Sequence, residues 1–189
     1  GVLRRDHRPG SGNPGSGAPA VKIAVIGYSG AGKSTLARAL GKRYGIPVLH
    51  FDTVQFTPNW EERDRAEAHQ MVHEFMENPA WVIDGTYSNF EYERRLNEAD
   101  TVVFLNFPRL ICFWRAWKRY VRFRGKTRPD MADGCCEKMD REFMWWLLWE
   151  GRTQRRREKF QRVLEQYPEK TVVLKSQKDI DRYLEGLSC

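Results

Sequence analysis

The sequence predicts a three-layer α/β fold in which helices cover both faces of a five-stranded parallel sheet. Short β-branched and apolar runs alternate with longer helical segments, which is typical of a doubly wound sheet. A glycine-rich turn follows the first run and opens the first helix, as expected for a strand–loop–helix unit. The predicted strands lie at residues 21–26, 47–51, 81–83, 101–105 and 171–174.

The length and composition suit one such domain. The 189 residues are 41% hydrophobic and 13% aromatic, which is enough for one packed core with little left for a second. Residues 1–20 are rich in Gly, Pro and Ser and lack apolar periodicity, so we expect a disordered tail there. Residues 21–189 should form a single domain.

Helical spacing appears between the predicted strands. Helices are expected over 34–44 and over 61–76. The inward side chains of the second should be Ala68, Val72, Phe75 and Met76.

A third helix should have Pro108 in its first turn. Its apolar stripe predicts a buried face and consists of Leu110, Trp114, Trp117 and Val121. A fourth helix carries Phe143 and Trp146 early and a basic run late. Its segment 143–149 is apolar on all sides, which indicates either deep core or a self-association surface.

The strongest functional signal is the sequence GYSGAGKS at 27–34, which fits the phosphate-binding pattern GxxxxGK[ST]. Glycines allow such a loop to turn its backbone N–H groups towards a phosphate, and the helix N-terminus adds partial positive charge. The motif predicts ATP or GTP as ligand. The residues expected to bind it are Gly27, Ser29, Gly30, Ala31, Gly32, Lys33, Ser34 and Thr35.

Three side chains of this loop have specific expected roles. Lys33 should reach the β- and γ-phosphates and stabilise charge during transfer. The Ser34 hydroxyl should be a Mg²⁺ ligand, and Thr35 should contact the α-phosphate.

Two carboxylates follow predicted strands. Asp52 follows the second strand and Asp84 the third, and the carboxyl ends of parallel strands border the ligand crevice. We expect Asp84 on the Mg²⁺ side, while Asp52 is expected to handle the phosphate acceptor. The alternative is that each aspartate only caps a turn.

The net charge of +7 is concentrated in two segments. Residues 109–128 hold eight basic residues and no acidic one, and six basic residues in 152–162 face only Glu158. Such segments could close as a lid over a triphosphate, at about 112–158, because the arginine fork binds phosphate oxygens bidentately. Arg115 and Arg119 should contact the nucleotide. The negative charge that develops during phosphoryl transfer should be stabilised by Arg119, Arg128 and Arg156. The other candidate lid arginines are Arg122, Arg152 and Arg155.

Aromatic residues interleave with these charges, at Phe113, Trp114, Trp117, Tyr120 and Phe123. They could stack on nucleic-acid bases. Core packing is the favoured interpretation, because the stripe predicts that Trp114 and Trp117 are buried.

The sequence also bears on compartment and metals. No apolar run is long enough to span a bilayer, so a soluble cytoplasmic protein is expected. Cys112, Cys135, Cys136 and Cys189 lack disulfide or zinc spacing, so reduced thiols are expected.

Together these segments resemble the adenylate-kinase-like P-loop proteins, and among them the bacterial DNA topology modulation (FlaR-related) proteins. The similarity covers Val21 to Leu187. It depends on the ordered set GYSGAGKST, LHFD with Asn59-Trp60 beyond it, WVIDGTYS, NFPR and GKTRPDM. The resemblance implies a sheet of the nucleoside-monophosphate-kinase type, with ATP on the P-loop and a helical lid.

The resemblance leaves the acceptor open. Adenylate kinases carry Asp-Gly-Phe-Pro-Arg where this chain has Asp84-Gly85-Thr86-Tyr87, so the arginine that helps to hold AMP is absent. Shikimate and gluconate kinases, of similar size, place an acid where Asp52 stands. We therefore expect a Mg²⁺-dependent phosphotransferase acting on a nucleotide or a small hydroxyl metabolite. The alternatives are a nucleotide-switched DNA-associated protein and a bare ATPase.

Overall fold

A computed structural model describes residues 20–57, 61–123 and 141–187. Two sheets form there. The strands are β1 (Lys22–Gly27), β2 (Val48–His50), β3 (Phe56–Thr57), β4 (Glu61–Glu62), β5 (Trp81–Asp84), β6 (Thr101–Leu105) and β7 (Thr171–Leu174). The main sheet is entirely parallel, in the order β2-β5-β1-β6-β7, and β3 and β4 form a small antiparallel pair.

Helices connect these strands. They are α1 (Lys33–Tyr44), α2 (Phe51–Gln55), α3 (Arg65–Met76), α4 (Tyr92–Glu98), α5 (Arg109–Phe123), α6 (Arg141–Leu148), α7 (Gln154–Gln166) and α8 (Gln177–Gly186), with a 3₁₀ turn at Glu150–Arg152. No helix in the described ranges is long and apolar enough to cross a membrane.

The predicted parallel sheet is confirmed, and its strand order positions the site. β1 lies in the centre, between β5 and β6, and each of the three central strands is almost wholly buried. After β1 the chain forms β2 and β5 on one side of it and then crosses over to form β6 and β7 on the other side. At such a change of direction, a ligand crevice lies at the carboxyl ends of the strands. His50 and Asp84 are register partners at that edge, beside the phosphate loop.

Two predicted boundaries are corrected near Asp52. The second strand is only three residues long, at Val48–His50, and Asp52 beyond it lies in the first turn of α2. α3 begins at Arg65 instead of residue 61 because the Asp64 carboxylate accepts hydrogen bonds from the N–H groups of Ala66 and Glu67, a regular N-cap.

The prediction for α5 is wrong about which face is buried. α5 begins at Arg109, after Pro108, and its buried side chains are Cys112 and Ala116. The apolar stripe faces solvent, with exposed fractions of 70% for Leu110, 54% for Trp114, 40% for Trp117 and 61% for Val121. The reason given above for disfavouring nucleic-acid stacking, burial of these two tryptophans, is therefore wrong as well.

The physical reason is close packing of α5 against the phosphate loop. A Cβ added at Gly30 would lie 2.5 Å from the carbonyl oxygen of Cys112. Only small side chains fit at so short a separation, so Cys112 and Ala116 face inward. The predicted apolar stripe is consequently on the outer face.

The predicted fourth helix is two helices, α6 and α7, separated by the 3₁₀ turn. In α6 only Leu147 is fully buried, while Trp145 and the following Trp149 are exposed and stack with centroids 4.6 Å apart. The deep-core alternative is thus wrong for both tryptophans, and self-association stays a prediction. Cys112 is a buried free thiol, whereas Cys135, Cys136 and Cys189 lie outside the described residues.

Two helical glycines give a matched test of packing. A Cβ at Gly41 of α1 would overlap Val48 Cγ2, and one at Gly186 of α8 would meet nothing within 4 Å. We expect Gly41→Ala to lower the free energy of unfolding by about 1–3 kcal/mol, because overpacking exceeds the gain in helix propensity. Gly186→Ala should be neutral or stabilising by up to about 1 kcal/mol. Urea unfolding measures both, and equal stabilisation by both substitutions would contradict the packing of α1 against β2.

Candidate active site

The phosphate loop joins β1 to α1 and has the backbone conformation that its glycines allow. The φ angles of Gly27, Gly30 and Gly32 are 146°, 76° and 99°, all in the region that disfavours residues with a Cβ. α1 begins directly after the loop, at Lys33. The loop therefore presents a helix N-terminus to the crevice, which is favourable for an anion.

Lys33 is partly buried in this crevice, and its ammonium donates a hydrogen bond to the Tyr28 carbonyl at 3.2 Å. Burial lowers the pKa of Lys33, while the nearby carboxylates of Asp84 and Asp52 oppose that shift. The lysine and both aspartates thus form one electrostatic cluster.

A cavity of about 1550 Å³ extends from the phosphate loop to the basic helices. Most of the predicted site residues line it: Gly27, Ser29, Gly30, Gly32, Lys33, Ser34, Thr35, Asp52, Asp84, Arg115, Arg119 and Arg156. Arg122 and Arg155 also line it. We call this cavity the nucleotide cleft.

Three predicted residues differ. Ala31 is buried and its N–H donates to the Tyr28 carbonyl at 3.2 Å, closing a tight turn, so Ala31 does not line the cleft. Arg152 does not line it either. Its guanidinium lies 3.8 Å from the Tyr28 ring centroid and donates to the Phe107 carbonyl at 2.6 Å. Arg128 lies outside the described residues.

The nucleotide cleft is strongly cationic. Ten basic residues line it against four acidic ones, which are Asp52, Asp84, Glu93 and Glu150. Arg115 donates to the Gln177 side chain at 3.1 Å and lies 4.8 Å from the Phe107 ring centroid. These contacts hold one cation of α5 beside the first residue of α8.

Asp84 ends β5 and is almost fully buried. His50 Nδ1 lies 2.5 Å from its Oδ2, and the two residues are register partners on neighbouring strands. Among the described residues no group of three or more metal-ligating side chains exists. A Mg²⁺ site here would therefore need phosphate oxygens and water as further ligands, as Mg²⁺ sites of nucleotide enzymes do.

Asp52 is held by an aromatic cluster. The Tyr87 hydroxyl donates to Asp52 Oδ1 at 3.1 Å, and Tyr87 packs near Phe51 and Phe90. Burial, followed by the Asp52 charge, raises the pKa of Tyr87 well above its usual value. Tyr87 therefore remains a neutral donor that fixes the orientation of one Asp52 oxygen.

A buried arginine supports the turn between Asp84 and Tyr87. Arg95 of α4 is 2% exposed and donates to the carbonyls of Gly85 at 3.2 Å and Tyr87 at 2.7 Å. Its guanidinium lies 4.2 Å from the Phe51 ring centroid. Burial lowers its pKa to about 10, with no carboxylate opposing this.

Lys159 joins α7 to the same turn. Its ammonium donates to the Thr86 carbonyl at 2.6 Å and to the Ser88 hydroxyl at 2.7 Å, and lies 4.0 Å from the Tyr92 ring centroid. The Thr86 hydroxyl in turn bonds to the backbone of Gly27. The phosphate loop, the turn after β5 and a basic helix are thus linked by side chains.

Sequence reasoning missed His50, Tyr87, Arg95 and Lys159. The partners of His50, Tyr87 and Lys159 lie 34 or more residues away. Those of Arg95 are backbone carbonyls 8 and 10 residues away, so local spacing gives no signal for any of these contacts. For Tyr87 the sequence contains one indirect signal. In the stretch WVIDGTYS it lies three residues after Asp84, a predicted site residue.

Comparison with known proteins gives relatives and structural neighbours. No family model matches the chain. A shikimate kinase of Phocaeicola vulgatus is 29% identical over 137 residues, covering 65% of this chain and 73% of that protein. TT1252 from Thermus thermophilus aligns with a TM-score of 0.53 at 16% identity, covering 88% of this chain and 95% of the other. A deoxyadenosine kinase from M. mycoides aligns with a TM-score of 0.51 at 16% identity, covering 88% and 96%.

These comparisons confirm the predicted fold class. The structural neighbours share the fold of this chain, a five-stranded parallel sheet with helices, which agrees with the predicted adenylate-kinase-like class. The sequence similarity to a kinase, together with the phosphate loop, supports an ATP-dependent phosphotransferase of that class.

Lys159 predicts a distinctive dependence of stability on pH. Burial lowers its pKa to about 8, from an ordinary value of 10.5. Between these values the unfolded chain binds more protons than the folded chain, so this lysine makes stability rise with pH. We expect wild type to gain stability relative to Lys159→Met between pH 8 and pH 10.5, measured by urea unfolding at several pH values. Parallel curves would show that the ammonium is not desolvated in the fold.

Proposed function

We propose that this protein is an ATP- and Mg²⁺-dependent phosphotransferase that transfers the γ-phosphoryl group to a hydroxyl of a small anionic acceptor. The observation that carries the proposal is the convergence of Lys33, Asp52 and Asp84 in one cleft with the phosphate loop. A nucleotide switch has no need of a second carboxylate on the acceptor side.

ATP would bind with its phosphates on the loop and at the N-terminus of α1. Lys33 would leave the Tyr28 carbonyl, 3.2 Å away, and contact the β- and γ-phosphates. Arg115 and Arg119 would contact the nucleotide from α5, and Arg156 the transferring group from α7. Arg128 has the same proposed role on sequence grounds. GTP remains an alternative to ATP.

Ser34 and Asp84 would hold Mg²⁺, which supplies charge neutralisation between the β- and γ-phosphates. The residues fit such an ion because a hydroxyl and a carboxylate share the cleft with Lys33. His50 would orient Asp84 through its contact with Oδ2, leaving the other carboxylate oxygen for the metal or its water.

In the transfer step, the acceptor hydroxyl oxygen forms a bond to the γ-phosphorus as the bond to the β–γ bridging oxygen breaks. The leaving ADP keeps that electron pair, and Asp52 takes the hydroxyl proton. Tyr87 holds Asp52 so that one oxygen faces the acceptor. The cationic lining stabilises the charge that spreads over the phosphoryl oxygens.

The acceptor side favours an anion. Arg156, Lys159 and Arg162 of α7 line the same cleft as Asp52, and this basic lining attracts an anionic acceptor more than an uncharged one. Anionic candidates suggested by the relatives are shikimate, which has a carboxylate and hydroxyls, and deoxynucleoside monophosphates, whereas deoxynucleosides themselves are uncharged and not favoured. AMP is not favoured, because Thr86 and Tyr87 replace part of the adenylate-kinase sequence.

The kinase proposal is tested by coupled ADP release over a panel of shikimate, other hydroxy acids, deoxynucleosides and nucleoside monophosphates. At least one anionic acceptor should stimulate turnover at least tenfold over ATP alone, and Lys33→Ala should remove that stimulation. The control is Lys178→Ala on the exposed start of α8, which should retain full activity. Acceptor-independent turnover alone would indicate a bare ATPase. Salt-sensitive DNA binding without turnover would indicate the DNA-associated alternative.

Substitutions of Asp52 and Tyr87 should lower the rate of phosphoryl transfer without weakening ATP binding. Asp52→Asn should lower kcat by about a hundredfold or more, as loss of a general base does, and leave ATP affinity nearly unchanged. Tyr87→Phe keeps the carboxylate and loses only its orienting hydrogen bond, so kcat should fall by about tenfold. Turnover measured with equilibrium ATP-analogue binding checks both. Equal loss of ATP affinity in Asp52→Asn would place this residue at the nucleotide instead.

A further inference from the structure

A second, smaller cavity of about 300 Å³ lies beside the nucleotide cleft. Its lining consists of Tyr28, Phe104, Asn106, Arg109, Arg152, Arg157, Phe160, Gln161 and Leu164. Only Tyr28 and Phe160 also line the nucleotide cleft. We call it the Arg152 cavity. Its volume suits a single ring with one substituent rather than a whole nucleotide.

The apolar part of the Arg152 cavity is aromatic. Tyr28, Phe104 and Phe160 are each at most 8% exposed. Phe104 and Phe160 stack with centroids 4.5 Å apart, and Tyr28 meets Phe160 edge to face at 5.0 Å. A planar apolar ligand would find ring contacts here that a hydrated inorganic ion cannot use.

The polar part carries three positive charges. Arg109, Arg152 and Arg157 line the cavity with the side-chain amides of Asn106 and Gln161, and no acidic residue lines it. Within the described part of the chain, none of the three arginines has a carboxylate partner. Unpaired guanidinium groups beside an aromatic surface are suited to an anionic group attached to a ring.

Arg152 also has an unsatisfied donor. It stacks on Tyr28, donates to the Phe107 carbonyl, and has Nη2 3.2 Å from Cys112 Sγ. Its Nε is buried and has no hydrogen-bond partner. A buried unpaired N–H of a charged group is costly, so the protein contacts of this guanidinium do not satisfy it completely.

The cavity is connected to the phosphate loop through Tyr28. The ring of this residue lines the Arg152 cavity, while its carbonyl accepts hydrogen bonds from Lys33 Nζ and Ala31 N–H, each at 3.2 Å. A ligand that moves the Tyr28 ring therefore changes contacts of the lysine that would bind ATP. Coupling of this kind acts in both directions.

From these observations we infer that the Arg152 cavity is a second ligand site, which binds a small planar anion with a carboxylate or phosphate group and changes the nucleotide affinity of the phosphate loop. The inference does not depend on phosphoryl transfer, since it needs only the fold and the two cavities.

Binding is tested on the full chain saturated with a non-hydrolysable ATP analogue and Mg²⁺, which occupies the phosphate loop, and the rim substitutions below distinguish the Arg152 cavity from the acceptor side of the nucleotide cleft. The probes are benzoate, phenyl phosphate, benzyl alcohol and inorganic phosphate. Their binding is measured by ligand-observed NMR and calorimetry. Benzoate or phenyl phosphate should bind at one site per chain, at least fivefold more tightly than benzyl alcohol and inorganic phosphate. The stronger of the two distinguishes a carboxylate from a phosphate ligand.

Substitutions at the exposed rim locate the site without disturbing the buried Arg152. Arg157→Gln should weaken binding of the ring-bearing anion by about tenfold, as loss of a charged hydrogen-bond donor does. Gln161→Trp, at an exposed position of α7, should fill the cavity and abolish binding. Arg182→Gln on α8 removes the same charge at an exposed residue that lines neither cavity, so the affinity for the probe should not change. Urea unfolding of each variant verifies that it is folded.

Coupling is tested by titrating the ATP analogue with and without saturating probe. In wild type the affinity for the analogue should change at least threefold, and in Gln161→Trp it should not respond to the probe. Three results would overturn the inference: equal binding by inorganic phosphate, binding unaffected by both rim substitutions, or stoichiometric displacement of the probe by the analogue. An unchanged analogue affinity in wild type would overturn its regulatory part.

Discussion

The short distance between the phosphate loop and α5 determines the arrangement of the cleft. The carbonyl of Cys112 lies where any side chain at position 30 would have to be, so the loop and the helix backbone are in direct contact. This contact fixes the rotation of α5 about its own axis. Cys112 and Ala116 face the loop, and Arg115 and Arg119 consequently line the cleft. The basic helix packs at the loop through these small residues, while the predicted apolar stripe from Leu110 to Val121 faces solvent.

The acceptor side depends on a second constraint, the buried guanidinium of Arg95. It donates to two carbonyls of the turn after Asp84 and contacts the face of Phe51. That turn carries Tyr87, which holds Asp52, and Thr86, which bonds to Gly27. A charge buried without a carboxylate is expensive, and its hydrogen bonds to carbonyls offset only part of the cost. Its effect is a rigid turn that links the two aspartates to the phosphate loop.

Much of the fold could be predicted from the sequence because the signals are local. The β-branched runs predicted all five parallel strands within a few residues, and the loop motif placed Lys33 and Ser34 at the cleft. The buried face of α5 could not be predicted in this way. The rule that an apolar stripe faces the core assumes a core on that side and water on the other. In α5 the polar face instead meets a charged ligand cleft, so the small residues beside the arginines mark the buried side. His50 and Lys159 were missed because each meets its partner only in the folded chain.

The excess positive charge affects the stability of the fold as well as its ligands. Ten basic and four acidic residues line the nucleotide cleft, and three more arginines line the Arg152 cavity. Like charges gathered in partly desolvated cavities repel each other in the folded chain more than in the extended one, so folding without ligand has to overcome that repulsion. An anion that binds only the folded state removes part of this cost and adds its own binding free energy. Both cavities include Tyr28 of the phosphate loop. An anion that neutralises charge in one cavity therefore changes the electrostatic potential at the loop that lines the other. The arginines that favour phosphate binding therefore also lower the stability of the ligand-free fold. Substituting these arginines changes phosphate affinity and stability together.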